Sequence, residues 1–159
     1  MLGFGKSKEQ SIVAVCDGRI VPLENVSDEV FSGKVLGDGC AILPNSNIIR
    51  SPGEGEIISI ADTGHAYCIG LVSGLEVLVH IGIDTVELKG EGFIPRVKAG
   101  EKVYPGAIIA EADFDLIKSK GYDTTVITVI TNTDAVSSMS INTGEAKGGV
   151  SSAIVYKKR

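Results

Sequence analysis

The chain has 159 residues, 43% of them apolar, with no tryptophan and a net charge of −5. That length suits one domain whose core needs no disulfide or metal staple. The acidic balance, with no basic run longer than Lys157-Lys158-Arg159, argues against nucleic-acid binding, and no apolar stretch is long enough to span a bilayer as a helix.

Residues 1–10 read as a flexible N-terminal tail ahead of a single domain over 11–159. The opening Met1-Leu2-Gly3-Phe4-Gly5-Lys6 is too short and too poor in apolar residues for a signal peptide, although Leu2 and Phe4 offer a weak membrane contact. Short β-branched runs between turn signals predict strands over 11–15, 55–60, 75–79 and 124–130, and hence an all-β antiparallel sandwich or barrel. A repeat is visible, because Asp17-Gly18-Arg19-Ile20-Val21 resembles Glu54-Gly55-Glu56-Ile57-Ile58. It is either one strand-turn-strand unit used twice or two instances of a common acidic-Gly turn. Only two helical turns are predicted: one over 113–120, opened by Asp113 and closed by Gly121, and a weaker one at 134–136. The polar stretch 137–152 reads as loop. Cys16, Cys40 and Cys68 are odd in number and form no CxxC pair, which fits small buried hydrophobes in a reducing cytosol.

Only two histidines occur, His65 and His80. The intervening pattern predicts a hairpin turning at Ser73-Gly74, which pairs Val72 with Leu75 and Tyr67 with His80. Side chains alternate along a strand, so His65 then shares the face of Tyr67 and lies diagonal to His80, roughly 7–8 Å away. A four-residue loop keeps this register and a three-residue loop breaks it. Two imidazoles on one face suit a phosphoryl-carrying pair, two-thirds of a zinc site, or two incidental residues satisfied locally. After His80, Gly82 lets backbone or a partner approach, and Asp84 serves either as a carboxylate near the imidazole or as a turn residue.

The run Leu78-Val79-His80-Ile81-Gly82-Ile83-Asp84-Thr85-Val86-Glu87-Leu88-Lys89-Gly90-Glu91-Gly92-Phe93 resembles the signature of the glucose-family IIA component of the bacterial phosphoenolpyruvate-dependent sugar phosphotransferase system. Thr63-Gly64-His65-Ala66-Tyr67 resembles that family's Thr-x-His-Ala-aromatic stretch, and Asp28-Glu29-Val30-Phe31, Gly37-Asp38-Gly39 and Ser51-Pro52-Gly53-Glu54-Gly55 match it too. The likeness runs from about residue 11 to 134 and returns near Ile154. Leu78 and Ala61 depart from it, standing where relatives often carry phenylalanine.

The resemblance implies a flattened antiparallel β-sandwich with His80 as phosphoryl acceptor, His65 beside it, and Thr63 orienting His65. It implies that Asp28 and Asp84 face an arginine of the phosphocarrier protein HPr, and that Val30, Phe31 and Leu78 belong to an apolar rim. HPr would be the donor and the IIB domain of a membrane sugar permease the recipient. The intermediate would be a covalent phosphohistidine, with no cofactor, in the cytoplasm. No metal is expected beyond adventitious zinc at His65 and His80. A start at Met1 and an end soon after a last strand fit a free-standing component. Two alternatives compete. A zinc hydrolase would need a third ligand, and the His-x-His pair of such peptidases is missing. A lipoyl- or biotinyl-type carrier is suggested by the turn over 97–106, yet no lysine sits in a hairpin upstream of Ser51-Pro52.

Overall fold

Among the described residues fourteen strands build the fold, and every pairing between them is antiparallel. The structure, a computed structural model, describes residues 8–159. In chain order the strands are β1 (Glu9–Val13), β2 (Gly18–Pro22), β3 (Asp38–Pro44), β4 (Ile48–Arg50), β5 (Gly55–Ile60), β6 (Ala66–Leu71), β7 (Glu76–Ile81), β8 (Phe93–Pro95), β9 (Lys102–Val103), β10 (Ile108–Ala112), β11 (Val126–Ile130), β12 (Val136–Ile141), β13 (Gly144–Ala146) and β14 (Ser152–Lys158). One eight-stranded sheet has the order β13-β2-β3-β11-β7-β6-β5-β9; two three-stranded sheets are β1-β14-β12 and β4-β10-β8. The long sheet has two ends, so the expected sandwich forms and no barrel closes.

The β-branched runs bury one face against the main core, where Ile12, Ile42, Ile57, Tyr67, Ile69, Val77, Val79 and Ile154 meet. β11 is buried at every position. Val126 and Ile130 enter the main core, while Ile127 and Val129 enter a second, smaller cluster on the other face. That cluster contains Leu23, Val26, Phe31, Ala41 and Ile83, with Leu78 packed against it. Its cover is a 3-10 turn (Leu23–Asn25) and a one-turn helix, α1 (Glu29–Ser32).

The glycines of the sequence repeat take matching places. Gly18 opens β2 and Gly55 opens β5, each the second strand from an end of the long sheet. A β-carbon at Gly18 would lie 2.2 Å from the Leu43 carbonyl oxygen, and one at Gly55 would lie 2.2 Å from that of Gly70. Both positions need glycine because a neighbouring backbone crosses there, which favours one unit used twice over coincidence.

Several sequence expectations are corrected. Glu9 and Gln10, assigned to the tail, pair with Lys157 and Tyr156 in β1; Leu2 and Phe4 lie outside the described residues. The stretch 137–152 is largely ordered pairing in β12 and β13, not loop. The helix at 113–120 forms as α2 (Phe114–Ser119), capped by Asp113, and the 134–136 turn forms as Thr133–Ala135. α1 and the 3-10 turns at Leu23–Asn25 and Thr85–Leu88 come in addition to these two. Cys16 and Cys40 are buried, their thiols pushed up to about 12 by desolvation, whereas Cys68 is half-buried.

The hairpin register also differs. Leu71 N–H donates to Leu75 at 2.8 Å and Gly74 N–H to Leu71 at 2.9 Å, so Val72-Ser73-Gly74 is a three-residue loop with Gly74 at φ +97. Ala66 therefore faces His80, and Tyr67 faces Val79. This one-residue slip puts Tyr67, Ile69, Val77 and Val79 together in the core and turns His80 outward.

Candidate functional site

His80 sits on the outward row of β7, between Ala66 of β6 and Ile127 of β11. Phe31 of α1 lies on one side of its ring, centroids 5.0 Å apart and planes tilted by 58°. His65 lies on another side, also at 5.0 Å and nearly perpendicular at 82°. Phe93 backs His65 at 6.4 Å. The His80 ring thus stands at the border of the smaller apolar cluster.

The chain leaves β7 through a turn that L-residues with bulky side chains resist. Gly82 has φ +78 and Asp84 φ +59, and the Thr85–Leu88 turn follows. This bend brings the Gly82 carbonyl back to His80 Nδ1 at 2.8 Å. A carbonyl only accepts, so the proton is on Nδ1 and Nε2 presents a lone pair.

His65 reaches the site by a route other than the expected face-sharing along a strand. In the observed register its parity is that of core-facing Tyr67, but it lies in the turn ahead of β6, where strand alternation does not hold its side chain. Gly64, at φ +73, makes that turn, and the His65 carbonyl still accepts from Ile81 N–H at 2.7 Å. Thr63 Oγ1 is 2.6 Å from His65 Nδ1. A hydroxyl can donate or accept, so this contact allows the tautomer with a proton on Nε2 of His65.

Both imidazoles titrate below the ordinary 6.5. For His80, desolvation lowers the pKa, and the Gly82 carbonyl, Asp28 and Asp84 offset part of the drop. For His65, desolvation is again the larger cause, and the nearby His80 adds to it. Both rings are therefore neutral at pH 7.

The rim gathers around them. Asp28 caps α1, its Oδ1 accepting from Val30 N–H at 2.8 Å and Phe31 N–H at 3.4 Å. Phe31 is buried, Leu78 is half-buried beside it, and Val30 and Asp84 are exposed. Sequence reasoning missed this capping role, although an Asp immediately before Glu29-Val30-Phe31 is an N-cap pattern. It also passed over Phe93 and Thr85, which lie inside the quoted signature.

A family model described as phosphoenolpyruvate-dependent sugar phosphotransferase system, EIIA 1, matches residues 10–136. The chain belongs to this EIIA family. It is similar to the glucose-specific EIIA component of Haemophilus influenzae, 42% identical over 96% of this chain and 92% of that one. The glucose-specific EIIA component of Bacillus cereus is 40% identical over 92% of this chain and 89% of its own length. The glucose-specific EIICBA component of Streptococcus pneumoniae is 43% identical over 86% of this chain, which spans 19% of that longer protein. Among solved structures, glucose permease IIA from Mycoplasma capricolum superimposes with a TM-score of 0.88 at 36% identity, covering 97% and 99% of the two chains.

An EIIA protein is the phosphoryl-carrying component of a sugar phosphotransferase system, and that is the role of this chain. Neither alternative gains support. Among the described residues no group of three or more His, Cys, Asp or Glu is placed to hold a metal ion. The turn over 97–106 includes β9, which pairs with β5 at the edge of the long sheet. Among the described residues no helix is long and apolar enough to cross a membrane.

Proposed function

We propose that this EIIA chain accepts a phosphoryl group from phospho-HPr on Nε2 of His80 and passes it to a IIB domain of a membrane sugar permease, in the cytoplasm. Glucose is the sugar named for the relatives above. The observation that carries the reading is the contact from His80 Nδ1 to the Gly82 carbonyl, which leaves Nε2 unprotonated. Its lone pair attacks phosphorus as the bond to the donor nitrogen breaks, and the donor imidazole keeps the released electron pair. The Nδ1 proton stays in place, so no proton has to move to or from His80. No cofactor is needed, because positioning and charge stabilisation supply most of the catalysis in phosphoryl transfer.

His65, with Nε2–H directed by Thr63, donates to the phosphoryl oxygens as they pass. Phe31, Phe93, Val30 and Leu78 keep water away from the labile N–P bond. Asp28 and Asp84 repel phosphate in solution but attract an arginine of the donor protein, so docking favours the right partner. Incubation with phosphoenolpyruvate, enzyme I and HPr should add one acid-labile phosphoryl group at His80, visible by intact mass and peptide mapping. Unchanged labelling in His80→Ala would falsify the assignment. A mass increment matching lipoyl or biotin would overturn the carrier chemistry itself.

A further inference from the structure

We infer that Thr85 is a positioning residue for transfer: it holds the Gly82 peptide so that the His80 proton stays on Nδ1. The inference rests on reading His80 Nε2 as the acceptor atom. Thr85 is wholly buried, a costly place for a hydroxyl unless it is bonded. Its Oγ1 donates to the carbonyl of Ile81, the residue after His80, at 2.5 Å. The bond ties the 81–85 turn across its own base. The same side chain packs beside Gly82, since a β-carbon there would lie 2.4 Å from Thr85 Cγ2 and 3.2 Å from its Oγ1.

The other side of the turn is pinned by backbone. Gly82 N–H donates to Thr125 at 3.0 Å and Ile83 N–H to Asp123 at 2.9 Å. Asp123 is itself fixed, accepting from Thr125 N–H at 2.9 Å and Thr125 Oγ1 at 2.6 Å. Thr85 and Thr125 hold the peptide plane shared by the Ile81 carbonyl and Gly82 N–H. Asp123 holds the next plane through Ile83 N–H, and the Gly82 carbonyl in that second plane is thereby directed at His80 Nδ1. If that carbonyl drifts, the proton distributes between the two ring nitrogens, and every molecule protonated at Nε2 has lost its nucleophile.

The test compares wild type, Thr85→Val, which removes the hydroxyl, and Thr85→Ser, which keeps it. Nitrogen-15 imidazole spectra report the His80 tautomer, and rapid-quench labelling from phospho-HPr reports the rate. Wild type and Thr85→Ser should show His80 protonated at Nδ1 alone. Thr85→Val should show both tautomers and label roughly threefold to tenfold more slowly, the size expected for one internal hydrogen bond. A single Nδ1–H tautomer with a wild-type rate in Thr85→Val overturns the inference. The wild-type Thr85 hydroxyl proton should also exchange slowly with water. Free exchange overturns the inference without any variant, and so decides it even if Thr85→Val does not fold. A wild type that takes no phosphoryl group on His80 overturns the carrier reading and with it any role of Thr85 in transfer, whereas the tautomer comparison separately decides whether Thr85 fixes the His80 proton.

Discussion

In the proposed transfer His65 and His80 take different tasks with the same side chain, and their hydrogen bonds divide them. The partner of His80 Nδ1 is a carbonyl, so the ring is fixed as a nucleophile at Nε2. The partner of His65 Nδ1 is a hydroxyl, which lets Nε2 carry a proton toward a phosphoryl oxygen. Loss of one such donor typically costs about 100- to 1000-fold in rate at oxyanion-type sites, and partial solvent access here reduces that. His65→Gln should therefore still be labelled at His80 but deliver phosphate to IIB at least about tenfold more slowly, with Thr63→Val a milder form. A wild-type transfer rate in His65→Gln, measured by rapid quench, would make His65 a bystander. The depressed pKa values set a pH dependence. Both folded-state pKa values lie below 6.5, so the unfolded chain takes up protons first as pH falls. Their contribution to stability is complete above 6.5 and is lost as pH drops through the folded values. Proton NMR titration of the two Cε1–H signals should give midpoints below 6.5, and acceptor activity should fall with protonation of His80.

At the scale of elements, α1 is one turn long and depends on its cap. Asp28 is thus two things, a carboxylate that biases His80 and the N-cap that holds Phe31 against the same ring. Asp28→Asn keeps a good cap and removes the charge, whereas Asp28→Ala removes both, at about 1 kcal/mol of stability. Thermal unfolding should separate the two variants, and only Asp28→Ala should also disturb the aromatic ring-current shifts of His80. Equal unfolding midpoints would show that the cap contributes nothing. At the start of β5, Gly55→Ala forces a β-carbon against the Gly70 carbonyl oxygen and should cost about 1–3 kcal/mol, measurable by denaturant unfolding. Short elements such as α1 were hidden in the sequence because four residues show no helical period. β12 was hidden for a different reason: it pairs on a largely exposed face, so its Ser137, Ser138 and Ser140 carry no apolar signal. The hairpin register was equally undetermined locally. Two- and three-residue loops both fit the Ser73-Gly74 turn, and only joint burial of Tyr67 and Val79 decides between them.

For the molecule as a whole, the sequence was most informative where function is local. The run from Leu78 to Phe93 contains the proposed acceptor His80, its carbonyl partner, the turn and the backing phenylalanine within sixteen residues, so reading it assembled much of the candidate site without the fold. What it left out, the meeting of α1, the Thr63–His65 turn and the 123–125 segment around that run, is made by sheet order together with the packing of α1 on the smaller cluster. The net charge of −5 predicts that association with a cationic partner face slows as salt rises, because screening beyond about 10 Å is strong at 0.1 M ionic strength. Asp84→Lys should lower the on-rate for HPr and flatten that salt dependence. Stopped-flow association at two ionic strengths checks it, and an unchanged slope would exclude Asp84 from the docking face.

β7 is hydrogen-bonded along both edges, to β6 on one side and β11 on the other. His80 is consequently anchored on a strand with no free edge, and its amide should be among the slowest to exchange with deuterated solvent. In the proposed relay the reactive atom of His80 does not travel between stations as a swinging arm does, so the partners have to come to it. Giver and taker have to visit the same few square nanometres in turn, each leaving before the next arrives. Tighter docking to either partner is then expected to slow that relay.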